Sequence, residues 1–375
     1  MYVTKIFLKD FRNFSELNLN LGEGINIFLG RNAQGKTNIL EAVYFASVLR
    51  SRAVKMTELI SWGGDTAYIK IYFSKADISQ DVALELTAGN KSRKLLVNGE
   101  EVRSKSFVGR LNAVMFSPED LFLFKGAPAM RRQFLNAEIS QASPAYYENL
   151  VNYNHVVTQR NNLLKKIRAG VNRRSNLATW DEQLAHYAAK ITAERLIAVD
   201  TLNDFSQVIH KNISARNEKF SVEYSLKNLD FDITAENFYS ENFKATLLNW
   251  YKKIIAEKSD WDIESGNTGV GPHLDDLKFS IDDREIKTHA SQGQLRTAAL
   301  SLKLAELEFL KSACGEYPVL LLDDVMSELD AERREKLLNF LRLQKIQTII
   351  TATEKKYFPA QNFGKTFEVT DGKIL

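Results

Sequence analysis

A glycine-rich segment near the N-terminus carries the residue types that bind phosphate. Residues 30–37 read GRNAQGKT, which fits the pattern of glycine, any four residues, glycine, lysine and threonine. Glycines let backbone N–H groups close around phosphate oxygens, and the N-terminus of a following helix attracts the same charge. Lys36 would reach the β and γ phosphates, and the Thr37 hydroxyl would bind a magnesium ion that bridges them. The motif predicts a nucleotide site formed by Gly30, Arg31, Asn32, Ala33, Gln34, Gly35, Lys36, Thr37 and Asn38.

An acidic pair follows a short apolar run near the C-terminus, where residues 319–330 read VLLLDDVMSELD. Four apolar residues before two acids indicate a buried strand whose end presents carboxylates, at the edge where open α/β sheets bind ligands. Asp323 suits magnesium coordination, and Asp324 suits the polarisation of an attacking water. An acidic turn after a core strand would read the same way, so this interpretation depends on the phosphate loop upstream.

A third polar segment opens a helix. Ser291, Gln292, Gly293 and Gln294 precede apolar residues with helical spacing that continue to Leu310. A hydroxyl, a bare backbone and a helix N-terminus together suit an anion. Because one chain cannot easily aim two helix N-termini at one γ phosphate, we expect a second copy of the chain to supply this segment. The alternative is a plain N-cap at Ser291 before a core helix.

Strands and helices must position these three segments. The first 30 residues read as two alternating strands and a buried strand that ends at Gly30, and apolar residues with helical spacing follow at 39–48. Residues 68–102 alternate again and contain an Asn98-Gly99 turn, while 318–351 predict strand, helix and strand. The glycine-rich loop therefore lies between a strand and a helix, which favours a phosphate loop over an ordinary turn.

A long helical region separates the two ends of the chain. Apolar residues between Leu184 and Ile209 recur at helical intervals, and a polar turn at 169–176 separates them from the segment 146–167. The pattern predicts an antiparallel helical hairpin with a basic tip. Residues 151–180 include no acid and six basic residues, which would suit either DNA phosphates or a solvated helix face. These are Arg160, Lys165, Lys166, Arg168, Arg173 and Arg174.

Length and composition narrow the class of protein. A chain of 375 residues predicts two domains, or one domain with a large insertion. The 50 basic and 47 acidic residues give a net charge of +3, which excludes a polycation and an acidic tail protein. One cysteine cannot close an intramolecular disulfide, and no apolar run reaches membrane-spanning length. We therefore expect a cytoplasmic protein that has no membrane partner.

The order of these motifs resembles the ABC-type ATPase heads of SMC-like DNA repair proteins, and most closely the RecF family. The resemblance covers the whole chain and includes LKDFRNF at 8–14, FSPEDL at 116–121, KGAPAMRRQFLN at 125–136 and GPHLDDL at 271–277. It implies an α/β fold, in which 1–120 and 265–375 form an ABC-type P-loop ATPase head with mixed sheets. A mainly helical second domain, the antiparallel hairpin, would occupy 121–264.

The same resemblance implies roles for further residues. Arg12 and Asn13 would lie beside the bound ATP, and the Ser291–Gln294 segment would cap the γ phosphate of a partner copy. The loop from Ser327 to Asp330 would cross the dimer seam. The chain departs from the family pattern at several positions. No glutamine ends the strand before Ser117, and Leu274 stands in GPHLDDL where the family often has arginine.

The function that the resemblance implies is that of an ATP-dependent DNA-binding recombination mediator. It would dimerise on ATP, bind gapped or junction DNA, and act with RecR and RecO-type proteins in recombinase loading, replication restart and the SOS response. Asp324 is shorter than the glutamate usual in ABC heads, so we expect slow hydrolysis. Two alternatives are a transporter ATPase subunit and a metabolic phosphotransferase. The first is disfavoured because no histidine follows His289, and the second would leave SQGQ without a role.

Overall fold

The computed structural model describes residues 1–50, 56–89, 93–214, 218–227, 238–240, 242–358, 363–370 and 372–374. The chain divides into two compact units. The first unit comprises Met1–Phe124, Val208–Glu218 and Ala290–Leu375, and the second comprises Lys125–Gln207 and Lys219–His289.

The described residues form strands of two to ten residues. These are β1 Tyr2–Phe11, β2 Phe14–Asn20, β3 Ile25–Leu29, β4 Thr66–Lys75, β5 Ile78–Thr87, β6 Arg93–Val97, β7 Glu100–Glu101, β8 Ala113–Phe116, β9 Phe220–Ser225, β10 Asp276–Ile281, β11 Arg284–Glu285, β12 Val319–Asp323, β13 Thr348–Ala352, β14 Lys365–Thr370 and β15 Lys373–Ile374.

The helices of the described residues range from single turns to one long rod. They are α1 Lys36–Val48, α2 Ser104–Phe107, α3 Phe122–Lys125, α4 Pro128–Ala142, α5 Pro144–Arg168, α6 Ala178–Ile213, α7 Phe243–Ser265, α8 Ile286–His289, α9 Gln292–Cys314 and α10 Ala331–Leu343. Within the described part of the chain, none of them is long and apolar enough to cross a membrane.

Two six-stranded sheets build the first unit. One has the order β2-β1-β4-β5-β6-β7 and is antiparallel, and the other has the order β15-β14-β3-β13-β12-β8. In the second sheet β14, β3, β13, β12 and β8 run parallel, and the runs INIFL, VLLLD and TIITA are buried almost throughout. Such continuous apolar runs are typical of strands covered on both faces. Helix α1 contacts strands of both sheets, so the core of this unit lies around it.

The parallel register determines which residues meet at one edge of that sheet. Leu322 of β12 pairs with Ile350 of β13 and with Phe116 of β8, and Ala352 pairs with Leu29. The carboxyl ends of β3, β8, β12 and β13 therefore lie side by side, where ligands bind in open α/β sheets.

The second unit combines helices with a small sheet of order β11-β10-β9. Arg160 of α5 bonds Asp181 near the start of α6, while Tyr146 bonds Arg195 farther along it. Residues late in α5 therefore meet residues early in α6, which is the antiparallel hairpin that the sequence predicts. Helices α4 and α7 also pack on α5, so the hairpin is part of a larger helical group.

The compact units divide the chain differently from the expected domains at three places. Residues 121–124, which the sequence assigned to the insertion, cluster with the first unit. Residues 265–289, which the sequence assigned to the head, cluster with the second unit because β10 pairs with β9. Residues 208–218, which the sequence assigned to the insertion, cluster with the first unit. Sequence periodicity cannot indicate such pairing, since the partner strands are about fifty residues apart and the long helix continues through the boundary without a breaker.

Candidate nucleotide site

The glycine-rich loop joins β3 to α1 and is braced by Asn13. Gly35, the residue before α1, has a φ of +100°, and a Cβ there would lie 2.4 Å from the Asn13 Nδ2. Asn13 Nδ2 donates to the Gln34 carbonyl at 3.3 Å, and Asn38 Nδ2 donates to Asn13 Oδ1 at 2.7 Å. Asn13 thus contacts both the loop and the first turn of α1, and only glycine fits between them.

Lys36 lies inside the loop. Its Nζ donates to the carbonyls of Gly30 at 2.6 Å and Arg31 at 2.8 Å, and its side chain is buried. Burial lowers the pKa of the ammonium, and the nearby carboxylates of Asp324 and Asp323 oppose that shift. The ammonium is therefore held where it can exchange carbonyl partners for phosphate oxygens.

Asp323 is oriented by two threonines. Its Oδ1 accepts from the Thr37 hydroxyl at 2.8 Å and from the Thr351 hydroxyl at 2.7 Å. Thr351 also accepts from the Asp324 backbone N–H at 2.9 Å. Sequence reasoning gave Thr351 no role in this site, because the contact depends on the β12–β13 register. The three side chains bring hydroxyl and carboxylate oxygens to one point beside the loop.

Asp324 has a strained backbone conformation, and one of its carboxylate oxygens accepts no hydrogen bond from the described residues. Its φ of 52° lies in the left-handed region, and within the described residues its buried Oδ1 has no hydrogen-bond partner. Burial raises the pKa of this carboxyl, the Lys36 ammonium lowers it, and Asp323 and Glu328 raise it further. A carboxylate with a raised pKa and a free acceptor is suited to polarise a water molecule.

The oxygens at this point fit a magnesium ion. Carboxylate and hydroxyl oxygens are the hard ligands that Mg²⁺ prefers, and Thr37 and Asp323 supply one of each. Among the described residues no group of three or more His, Cys, Asp or Glu side chains could hold a metal alone. Phosphate oxygens and water would therefore complete the coordination, as is usual for Mg²⁺ at nucleotides.

A cavity of about 410 Å³ borders the loop on the side of β14. Its lining residues are Leu29, Gly30, Arg31, Gln34, Glu368, Val369 and Thr370. A Cβ on Gly30 would lie 2.4 Å from the Val369 carbonyl oxygen, so glycine is needed for the close approach of the two strands. The contribution of β14 was not foreseen, since nothing in its sequence distinguishes it from any other strand.

Arg12 is bound to the helix that follows the loop. Its guanidinium donates to both carboxylate oxygens of Glu41 at 2.8 and 2.9 Å and to the Glu58 carbonyl at 2.9 Å. A bidentate pair of this kind fixes the guanidinium strongly. The contact of Arg12 with a nucleotide stays a prediction, and its observed partners position α1.

The SQGQ segment begins α9 and faces outward. Ser291 Oγ accepts from the Gln294 N–H at 3.3 Å, and Gln294 Oε1 accepts from the Ser291 N–H at 2.9 Å, which is a capping box. Ser291 therefore acts as the N-cap of α9. Even so, Ser291, Gln292 and Gly293 are exposed. A Cβ built on Gly293 would meet no described atom within 4 Å. The described part of the chain thus leaves the space above this backbone open.

The SELD loop is tied to that helix by an ion pair which the sequence did not indicate. Arg296 of α9 contacts Glu328 at 2.6 Å. Ser327 Oγ donates to the Asp324 carbonyl at 2.8 Å, and Asp330 caps α10 by accepting from the Arg333 N–H at 2.9 Å. The loop is therefore fixed at both ends, and Ser327 and Asp330 are exposed.

Ser117 follows β8, the strand at whose end the sequence lacks the expected glutamine. Since Phe116 pairs with Leu322, the next residue of each strand brings Ser117 beside Asp323. Ser117 is buried, and its N–H donates to Asp120 Oδ2 at 2.7 Å. In GPHLDDL, the Leu274 N–H donates to the Gly271 carbonyl at 2.9 Å, and the motif lies in the second unit.

Arg160 is a correction to the expected DNA-binding set. Its side chain has 0% exposure and bonds Asp181 at 2.7 Å, Asp262 at 2.6 Å and Thr268 at 3.0 Å. A buried charge requires such partners, so Arg160 belongs to the core of the second unit and cannot reach DNA.

The other five basic residues of that set are exposed, which leaves them available to phosphates. Two of them have protein partners: Arg174 forms an ion pair with Asp260, and Arg168 donates to the carbonyls of Glu264 and Ser265 at 3.3 Å. Lys165, Lys166 and Arg173 complete the exposed set. Their contact with DNA stays a prediction.

The strand, loop and helix around Lys36, the carboxylates that end β12 and the polar start of α9 together define an ABC-type ATPase head. The family model described as "RecF/RecN/SMC N terminal domain" matches residues 2–374. An SMC head bound to the C-winged helix domain of ScpA is 15% identical with a TM-score of 0.57, which supports the fold alone.

Closer relatives identify the branch of this family. The DNA replication and repair protein RecF of Halothermothrix orenii is 42% identical over 381 residues, which cover 100% of this chain and 98% of that protein. The RecF protein of Clostridium tetani is also 42% identical over the full length of both chains. A solved structure of the recombination mediator protein RecF-ATP in the RecFOR pathway has a TM-score of 0.89 at 34% identity, covering 100% of this chain and 98% of that one. The chain therefore belongs to the RecF family of DNA replication and repair proteins.

Proposed function

We propose that this protein is an ATP-dependent DNA-binding recombination mediator. Two copies close on ATP, the closed dimer holds gapped or single-strand/double-strand junction DNA, and slow hydrolysis releases it. It acts with RecR and RecO-type proteins to load recombinase in DNA repair, replication restart and the SOS response. The observation that carries this proposal is the pairing of a complete phosphate loop with an outward-facing SQGQ segment.

The phosphate loop supports the nucleotide part of the proposal. Backbone N–H groups of the loop bind the phosphates, and Lys36 moves from the carbonyls of Gly30 and Arg31 to phosphate oxygens. Thr37 and Asp323 would hold a magnesium ion, which would supply positive charge against the phosphates. Asp324 accepts a proton from the attacking water through its unpartnered Oδ1. The RecF-ATP structure supports the choice of ATP as the nucleotide.

The open SQGQ backbone supports dimerisation. A helix N-terminus attracts anions, and in the described part of the chain nothing covers Gly293. A second copy would bring its bound γ phosphate to this point, and the two-fold symmetry of such a dimer would make two sites at once. Ser327 and Asp330 would then lie along the seam.

The exposed basic residues of α5 and of the turn after it support DNA binding. Lys165, Lys166 and Arg173 would contact phosphates, which positions a protein on DNA without reading sequence. A net charge of +3 on the whole chain is too small for one copy to bind DNA strongly, so we expect another factor to control DNA binding. Nucleotide-driven dimerisation, which doubles the number of phosphate contacts, would supply that control.

The experiment compares the wild type with Lys36→Met and with the exposed control Lys9→Met. Sedimentation with ATP and magnesium measures the dimer, and a gel-shift assay with gapped DNA measures binding. We expect Lys36→Met to lose ATP-dependent dimers and ATP-stimulated DNA binding while Lys9→Met keeps both. Unchanged behaviour of Lys36→Met would refute the proposal.

The DNA surface has its own test. Neutralising Lys165 and Lys166 to Gln should lower the slope of log affinity against log salt by roughly 0.9 for each DNA phosphate that is no longer neutralised. The matched control changes Lys252 and Lys253 of α7 to Gln, which removes equal charge from residues of comparable exposure. Equal effects of both pairs would show that net charge rather than this surface matters.

A further inference from the structure

A partly buried polar cluster lies directly behind the SQGQ segment. Gln294 Nε2 donates to Glu218 Oε1 at 3.0 Å, and the Gln294 Oε1 is already engaged by the Ser291 N–H at 2.9 Å. The two ends of one amide are thus held by different partners. Because these two bonds fix the orientation of the amide, the carboxylate of Glu218 determines how the Gln294 Oε1 is directed towards the Ser291 N–H.

The other side of Glu218 is anchored to the last turn of α6. Its Oε2 accepts from the Ser214 hydroxyl at 3.2 Å and lies 3.8 Å from His210 Nε2. The Ser301 hydroxyl donates to the Thr297 carbonyl at 2.8 Å, so it must accept from His210 Nδ1, which lies 3.0 Å away. His210 therefore contacts α9 through one ring nitrogen and directs the other towards Glu218.

We propose that Glu218 is a positioning residue for the SQGQ segment. It holds Gln294, and through the capping box Ser291 and the Gly293 backbone, in the geometry that receives the γ phosphate of a second copy. This role rests on the proposed ATP-dependent dimer and adds a residue that none of the family motifs contains. Glu218 does not touch the nucleotide and acts only through Gln294.

The chemistry of this contact separates two substitutions. Glu218→Ala removes the acceptor, so the Gln294 Nε2 loses its hydrogen-bond partner. Glu218→Gln keeps an oxygen that accepts from Gln294, and its new NH₂ group can donate to Ser214 Oγ or towards His210 Nε2. The conservative variant should therefore retain the function that the alanine variant loses. Glu335→Ala, which changes an exposed glutamate of α10, is the matched control.

The first measurement is made on the protein without nucleotide. Hydrogen exchange of the Gln294 and Leu295 amides, which bond Ser291 Oγ and the Ser291 carbonyl, reports the order of the first turn of α9. We expect exchange about tenfold faster in Glu218→Ala, and unchanged exchange in Glu218→Gln and Glu335→Ala. Equal protection in Glu218→Ala and the wild type would overturn the assignment.

The second measurement separates the dimer from the nucleotide loop. The affinity of the monomer for a fluorescent ATP analogue should stay within about twofold of the wild type, because the phosphate loop is intact. The dissociation constant of the dimer should rise about tenfold or more in Glu218→Ala, which corresponds to the loss of one hydrogen bond to a charged group. Glu218→Gln should restore the wild-type value. Weakened nucleotide affinity, or failure of Glu218→Gln to restore the dimer, would overturn the role.

These readouts distinguish the inference from the proposed function. If the wild type forms no ATP-dependent dimer, the proposed function fails, while the exchange of the Gln294 amide still decides whether Glu218 positions the segment. If the wild type dimerises and Glu218→Ala dimerises equally well, only the Glu218 role fails.

Discussion

The Thr37 hydroxyl donates to Asp323 Oδ1 across 2.8 Å, although 286 positions separate the two residues in the chain. The contact joins the first turn of α1 to the end of β12, and the β12–β13 register adds Thr351 to the same carboxylate oxygen at 2.7 Å. Two hydroxyls and one carboxylate thus hold each other in place before any ligand arrives. Such preorganisation is what an electrostatic site for phosphate chemistry requires.

The first prediction concerns the charge of Asp323. Asp323→Asn keeps an oxygen that accepts from both threonines, so the fold of the site should survive. The loss of negative charge should raise the magnesium concentration that gives half-maximal ATP hydrolysis by about tenfold or more, since Mg²⁺ prefers charged oxygen ligands. A magnesium titration checks this, with exposed Asp77→Asn as the control. An unchanged midpoint would remove Asp323 from the metal site.

The second prediction concerns Asp324 as a proton acceptor. Asp324→Asn should lower the hydrolysis rate by about 10²-fold or more while ATP-dependent dimers form and persist. Burial raises the pKa of this carboxyl, and only its ionised form can accept a proton. The wild-type rate should therefore fall as the pH drops through that raised pKa, at a higher pH than for an ordinary aspartate. A rate that is flat across the acid range would contradict the role.

The third prediction separates Arg160 from the basic surface. Arg160→Met should cost about 3–5 kcal/mol of unfolding free energy, because it leaves the buried Asp262 without its charged partner. Lys166→Met, on the exposed face, should change stability by no more than about 0.5 kcal/mol. Urea unfolding measures both. Equal stabilities would mean that the Arg160 network contributes nothing to the second unit.

The fourth prediction uses His273, whose ring Nδ1 lies 2.5 Å from the Tyr153 hydroxyl. Burial, with added repulsion from Arg132 and Arg195, lowers the pKa of His273 to about 4. The unfolded chain, with an ordinary histidine pKa of about 6.5, therefore binds a proton that the folded chain excludes. Stability from this group is present above pH 6.5 and is lost as the pH falls towards 4.

The test of that prediction compares pH slopes rather than absolute stabilities. His273→Gln should flatten the fall in unfolding free energy between pH 7 and pH 5 relative to the wild type. Urea unfolding at a series of pH values gives both slopes. Identical slopes in the wild type and His273→Gln would show that His273 is not protonated on unfolding in this range.

The sequence was informative where local chemistry decides the structure. Neighbouring residues are enough to predict three features: the glycine-rich loop, the acidic end of β12 and the Ser291 cap. The structure contains all three. The Asn98-Gly99 turn also joins β6 to β7 as its dipeptide predicts, with both residues at positive φ.

Long-range contacts could not be foreseen in this way. The partners Glu41 for Arg12, Glu218 for Gln294 and Thr351 for Asp323 depend on which strands and helices become neighbours. The sequence also could not show that Arg160 is buried. Its sequence neighbours suggest a basic surface, but the helical register turns it towards Asp262. Charge composition alone cannot distinguish a buried arginine from an exposed one.

The central claim is that the phosphate loop of one copy meets the SQGQ segment of another. Gly293→Val should leave the monomer intact, because the described residues leave open space there, yet it should block the approach of a γ phosphate. Lys36→Met impairs the loop instead. Neither variant alone should form ATP-dependent dimers, since every site in each homodimer contains a defect.

An equimolar mixture of Lys36→Met and Gly293→Val tests this claim most directly. In the mixed dimer one site combines both defects, and the other pairs an intact phosphate loop with an intact SQGQ segment. Sedimentation velocity with ATP and magnesium should therefore detect dimers in the mixture that neither variant forms alone. A mixture that sediments as the sum of its two components would contradict the account.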